Sequence, residues 1–172
     1  MRATGLLLTV ITLSILQPIQ AKAATIVVKY FTDQAVQEAI DKTTEGDEVV
    51  LPGGHYLFGS TVVVKRKITV RGSAQLQDVA AIEPGSQNVS PHWEGEPSLC
   101  RTDDPDLTLF QVESDSAKFA GLKIEGAVTH ENGTGYGIVI FQHSGLMVEG
   151  CELLRHRKGI FYRDSLGGRV QG

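Results

Sequence analysis

A glycine returns in one setting along this chain. It closes Ile68-Thr-Val-Arg-Gly72, Ala117-Lys-Phe-Ala-Gly121, Leu146-Met-Val-Glu-Gly150 and Gly168-Arg-Val-Gln-Gly172. Each time an apolar residue stands two positions earlier: Val70, Phe119, Val148 and Val170. Such a unit reads as a short strand ending at a backbone position that tolerates positive φ. The last two units are 22 residues apart, and the pairs Gly137-Ile138 and Gly159-Ile160 repeat with the same spacing. A fixed period in this range, built from strands, predicts a solenoid whose coils stack on one another.

The N-terminus reads as a secretory signal peptide over residues 1–23. Met1-Arg2 is basic, Leu6 to Ile19 is mostly apolar, and Ala21-Lys22-Ala23 fits a small-residue cleavage site. The apolar run falls short of the roughly 20 residues that span a bilayer, so no membrane span is expected. Residues 24–172 are enough for one domain with a real core. A net charge of −4 argues against nucleic acid as a partner. There are two cysteines, Cys100 and Cys151. Export permits a disulfide between them. The simpler reading is a buried thiol at Cys151, just after a repeat glycine, and a second thiol at Cys100 in an irregular stretch.

Thr25–Lys29 reads as a strand. Thr32–Thr44 then carries Val36, Ala39 and Ile40 at helical spacing, with Thr32 or Asp33 as its N-cap. This short amphipathic helix has a physical use, because the first coil of a solenoid exposes an apolar end that something must cover. Strands follow over Glu48–Pro52, Tyr56–Phe58, Ser60–Val64 and Ile68–Arg71. Alternation along Gly137–Gln142 and Gly159–Asp164 sends Ile138, Ile140, Ile160 and Tyr162 inward and Val139, Phe141, Phe161 and Arg163 outward. Residues 74–106 break the period. They carry prolines and the only tryptophan, Trp93. Gly72 to Gly121 is 49 residues, about two coils in length. The stretch reads as one poorly marked coil with a long loop.

Val36-Gln-Glu-Ala-Ile40, Glu45-Gly-Asp-Glu-Val-Val-Leu-Pro-Gly-Gly-His-Tyr56 and Ile68-Thr-Val-Arg-Gly72 resemble the N-terminal part of secreted right-handed parallel β-helix proteins of the pectin-lyase-like family. The resemblance covers residues 33–72 and 107–172 and leaves out 74–106. It implies an all-β, right-handed parallel β-helix solenoid of about five coils with an N-terminal capping helix. It also implies an extracellular polysaccharide as partner and, if the protein is an enzyme, polysaccharide lyase or uronate epimerase chemistry. In such enzymes substrate lies along the sheet to which Gly137–Gln142 and Gly159–Asp164 would belong.

That region is rich in groups suited to an acidic sugar. Uronate carboxylates need cations, and Arg offers a bidentate fork. β-Elimination further needs a base at the proton next to the carboxylate and a cation to hold the charge that develops. Arg155, Arg157, Lys158 and Arg163 supply cations; His143, His156 and Glu131 supply proton-transfer groups. Glu113, Asp115 and Asp164 offer oxygen ligands for Ca²⁺. Trp93 offers a ring on which a sugar can stack. Against each stands the ordinary reading of charged residues as solvated turns, and of Trp93 as a plug holding the loop on the coils. The rival expectation is a non-catalytic adhesin or glycan-binding scaffold. Asn88-Val-Ser90 and Asn132-Gly-Thr134 fit the glycan acceptor pattern. The chain stops on the repeat glycine Gly172. This suggests a truncated piece of a longer solenoid, or end-to-end self-association through an open last coil.

Overall fold

The structure is a computed structural model and describes residues 22–77, 92–127, 133–165 and 168–171. The expected signal peptide lies almost wholly outside them, as do Glu131, Gly172, Asn88 and Asn132. Among the described residues there are sixteen strands and one helix, and no helix is long and apolar enough to cross a membrane.

From Glu48 onward the parallel strands visit three sheets in rotation. β1 (Thr25–Val27) opens sheet A, and helix α1 (Asp33–Asp41) follows. β2 (Glu48–Leu51) returns to sheet A, β3 (Gly54–Leu57) starts sheet B and β4 (Val62–Val64) starts sheet C. The second circuit is β5 (Thr69–Gly72) in A, β8 (Ser98–Arg101) in B and β9 (Phe110–Val112) in C. Between β5 and β8 the chain leaves the sheets to make a two-stranded ribbon of β6 (Gln75–Gln77) and β7 (His92–Glu94). The third circuit is β10 (Lys118–Ala120), β11 (Leu122–Glu125) and β12 (Tyr136–Phe141). The fourth is β13 (Leu146–Glu149), β14 (Glu152–Leu154) and β15 (Lys158–Arg163), and β16 (Gly168–Gln171) comes back to sheet A. Every pairing in the three sheets is parallel, a topology compatible with a β-helix solenoid.

Register explains the irregular period. Val49, Val70, Phe119, Val148 and Val170 stand side by side in sheet A. β5 pairs directly with β10, so the long gap holds one circuit and no extra coil. The irregular segment is also shorter than expected, because Cys100 sits in β8, fully buried between Tyr56 and Ile124. Alternate residues of all three sheets meet in one core that includes Val70, Phe119, Ile124, Val112, Ile138 and Ile140. Phe58, Phe110 and Phe119 pack edge to face within it, with centroids 5.3 and 5.1 Å apart. Val139 is paired between Gln111 and Phe161 on the outer side of sheet C, yet is only 2% exposed. Cys100 and Cys151 are both free thiols.

The first circuit is closed at its edge on all three sheets. β1 covers β2. The Phe31 carbonyl accepts from Leu57 N–H and Thr32 bridges Leu57, which covers β3. On sheet C the helix does the covering. Val36 and Ile40 are buried as the helical spacing predicts. Gln37 uses its amide like a backbone: it donates to the Val63 carbonyl at 3.1 Å and accepts from Val63 N–H at 2.7 Å. Thr32 is the N-cap, accepting from Ala35 N–H. Asp33 is thereby released to accept from the N–H groups of Gly59 and Ser60 and from the Ser60 hydroxyl.

The recurring glycines line the corner between sheets A and B, and the ribbon lies on that corner. A Cβ on Gly72 would run into the Gly121 carbonyl, so the space there belongs to the next circuit's backbone. Gly121 and Gly150 have φ of +59° and +53°, and a Cβ on Gly121 would come within 2.8 Å of the Ala74 carbonyl. Gly150 faces Leu76. Trp93 donates from Nε1 to Glu152 of β14 at 3.3 Å. A segment that departs from the second circuit therefore runs along the stack and rests on the third and fourth.

Candidate functional site

The candidate residues of the sequence gather around the outer face of sheet C. Pairing builds that face in columns about 4.8 Å apart per strand. Val63, Gln111, Val139 and Phe161 form one column. Phe141 and Arg163 pair at the other end of β12 and β15, and Tyr136 pairs with Lys158 at the start. Tyr136 and Phe161 stack with centroids 4.9 Å apart and planes 12° from parallel. Lys158 Nζ sits 4.5 Å from the centre of the Phe161 ring. The Arg163 guanidinium lies 5.8 Å from the centre of the Phe141 ring. Two exposed cations thus each rest on a half-buried aromatic ring, a contact worth roughly 0.5–1 kcal/mol where water is present.

Turns flank the face on both sides. The turn from β14 to β15 carries Arg155, His156 and Arg157. Arg155 adopts a left-handed φ of +56° and donates to Glu125 Oε1 at 3.1 Å. The two line a cleft of about 230 Å³ with Arg101, Thr102 and Asp103. Arg157 is exposed, and its N–H donates to the Gly135 carbonyl, which ties this turn to the entry of β12. His156 is half-buried behind them. Its Nε2 lies 3.2 Å from the Ile124 carbonyl and therefore carries the hydrogen, while Nδ1 is buried without a partner. Burial holds its pKa below the usual histidine range.

The opposite flank carries the turns from sheet C to sheet A. Asp115 accepts from Ser144 N–H at 2.7 Å and lies 3.5 Å from His143 Nδ1. The Ser144 hydrogen bonds, with lesser help from His143, hold the Asp115 carboxyl below its ordinary range. Glu113 accepts from Gln111 at 2.7 Å. Asp164 has φ of +52° and stands 4.0 Å from Arg163. Gln142 takes a matching φ of +56° one circuit earlier. Among the described residues no three His, Cys, Asp or Glu side chains converge to hold a metal ion. Glu113 and Asp115 line one cleft with Lys65, Arg66, Lys67 and His143, whereas Asp164 stands in the turn after β15.

The sequence candidates divide accordingly. Lys158, Arg163, Phe161 and Phe141 share one surface, with Arg157 at its rim. His143, Asp115 and Glu113 belong to the far flank. Trp93 is elsewhere, half-buried on the ribbon with its indole N–H on Glu152 beside sheet B. Glu131 lies outside the described residues. Sequence reasoning missed Tyr136. The signal was present, since Tyr136 and Lys158 keep the 22-residue spacing of the two Gly-Ile pairs they precede.

No protein-family model, curated protein or solved structure matches the chain. Functional assignment therefore starts from the chemistry of the surface itself.

Proposed function

We propose that the chain is an exported right-handed parallel β-helix protein of the pectin-lyase-like kind that binds an acidic polysaccharide along the outer face of sheet C. The observation that carries the reading is the pairing of cations with aromatic rings there: Lys158 on Phe161 and Arg163 on Phe141. A uronate polymer alternates apolar ring faces with carboxylates, and a ridge that alternates rings with cations is its complement. Arg155, Arg157 and Lys158 add positive charge at the rim, and Gln111 adds a hydrogen-bonding amide.

Lyase or epimerase activity on the same polymer is the catalytic form of this reading, with His156 and His143 as proton-transfer groups. The scaffold form is favoured by one observation: Arg155, Arg163 and His143 each already face a carboxylate, Glu125, Asp164 and Asp115. The full chain incubated with pectate, alginate and chondroitin decides between them. Eliminase activity appears as the ultraviolet absorbance of unsaturated uronate products. Binding without product supports the scaffold. Absence of binding to all three, or binding that survives loss of both Lys158 and Arg163 to Ala, overturns the proposal.

A further inference from the structure

His156 occupies a slot made by the absence of side chains. A Cβ on Gly126 would come 2.5 Å from its Nδ1, and one on Gly137 would come 3.2 Å from its Nε2. The ring is therefore wedged between the end of β11 and the start of β12, one circuit back from its own turn. One nitrogen donates to the Ile124 carbonyl; the other is buried and has no hydrogen-bond partner among the described residues. A neutral ring satisfies this slot with a single unmet acceptor. A protonated ring places an N–H and a positive charge where no acceptor stands among the described residues, which is costly in a half-buried site.

The charges around the slot do not rescue the protonated form. On β11 the facing group is Glu125, whose charge favours the protonated ring but is shared with Arg155 and is outweighed by burial. Arg101 at the end of β8 and Asp103 just beyond it pair with each other across the cleft. Arg155, Arg157 and Lys158 on the histidine's own segment are all positive. His130 and Glu131 lie outside the described residues.

We propose that His156 is a pH-operated latch: neutral, it pins the turn from β14 to β15; protonated, it leaves the slot and releases Arg155 to Lys158. Among the described residues the turn is otherwise held by Arg157 N–H to the Gly135 carbonyl and by the exposed Arg155–Glu125 ion pair. Lys158 begins β15 and sets its ammonium over Phe161. Releasing the turn thus disperses the cations at the basic end of the sheet C face. Burial lowers the histidine's pKa, so the change falls on the acid side of the ordinary histidine range.

The consequence for binding rests on the proposed function, but the conformational change does not. Nuclear magnetic resonance of the ¹⁵N-labelled full chain follows both the His156 ring and the backbone amides from about pH 8 down to about pH 5. At the upper end the ring shows the Nε2–H tautomer. The amides of Gly126, Gly137 and Arg155 to Lys158 are expected to shift together with the ring. In H156F and H156Q, which fill the slot without titrating, they stay still. Ring titration that leaves those amides unmoved, or the same shifts in both variants, overturns the latch. Affinity for a polygalacturonate oligomer is followed in parallel. It falls about twofold at the midpoint and about tenfold one pH unit lower, because only the latched fraction binds. Acidification alone, by adding positive charge, acts in the opposite direction. If the oligomer binds at no pH, the proposed function fails and the amide shifts still decide the latch.

Discussion

Replacing Gly121 by Ala tests whether the recurring glycines exist to seat the ribbon. Two separate penalties are expected. The first is conformational, since φ is +59° there and an L-residue in the left-handed region loses roughly 1–2 kcal/mol. The second is steric. The new Cβ would stand 2.8 Å from the Ala74 carbonyl, and Ala74 is 5% exposed with its segment laid on the corner. Ala74 must retreat by about half an ångström, and overpacking of this kind costs about 1–3 kcal/mol. Gly150→Ala is the matched control. Its φ of +53° brings the same conformational penalty, but its Cβ would meet Leu76 at an ordinary 3.9 Å. The expected losses are about 2–5 kcal/mol for Gly121→Ala and about 1–2 kcal/mol for Gly150→Ala. Urea unfolding measures both. Trp93, the sole tryptophan, sits in the ribbon and supplies a local reading. Gly121→Ala should shift its emission to the red and open it to acrylamide before the main transition; Gly150→Ala should not. Equal losses in the two variants, or an unmoved Trp93 in Gly121→Ala, would refute the idea that the ribbon's seat is the reason for the glycine.

Other expectations follow from the same contacts. Gln37→Glu should destabilise more than Gln37→Ala, because a carboxylate cannot donate to the Val63 carbonyl and sets a charge against it; the Ala variant, losing two edge-capping hydrogen bonds, should cost about 1–3 kcal/mol in urea unfolding. Asp33 keeps a lowered pKa although burial opposes ionisation, because hydrogen bonds from Ser60, Gln34 and Gly59 outweigh burial. A carboxyl with a lowered folded pKa contributes stability above its unfolded value, and that contribution is lost as pH falls through the folded one. Stability followed by circular dichroism should therefore decline below about pH 4, and Asp33→Asn should start less stable and decline less steeply. Burial raises both thiols, Cys151 to about 11 and Cys100 further still, so neither should react quickly with iodoacetamide in the folded chain. Mass spectrometry under non-reducing conditions should show no disulfide, and Cys100 should label only on unfolding.

The fold was legible where local and long-range demands coincide. The period-two pattern of each short strand marks a buried face, and Val70, Phe119 and Val148 stand in sequence where they stand in space. The helix was legible because Val36, Ala39 and Ile40 declare its buried side. What could not be read was the length of each circuit. Turns between sheets carry no periodic signal, so circuits of 21, 29 and 49 residues fit the same register. Cys100 was misplaced for that reason: its strand is flanked by turn-rich sequence, and only pairing with β3 and β11 makes it regular. At the candidate site, charge and spacing pointed to Arg163 and Lys158. Alternation also sent Phe141 and Phe161 outward; what the sequence hid was that each cation lies over one of those rings and that Tyr136 stacks on Phe161. The place of Trp93 was equally hidden: only the long-range packing of the ribbon brings its indole N–H to Glu152.

The ribbon on the glycine corner has a kinetic meaning. A stack of strands in which each circuit touches only its neighbours can grow and fray one circuit at a time, with stability close to a sum of adjacent pairs. Here a segment born in the second circuit comes to rest on the third and fourth. It has nowhere to settle until they exist, so its docking belongs late in folding and closes a loop over chain made after it. Once docked, it couples circuits that share no sheet hydrogen bonds. Fraying of the fourth circuit must then undo a contact made by the second, and the stack gains a cooperativity that its repeating strands alone do not provide.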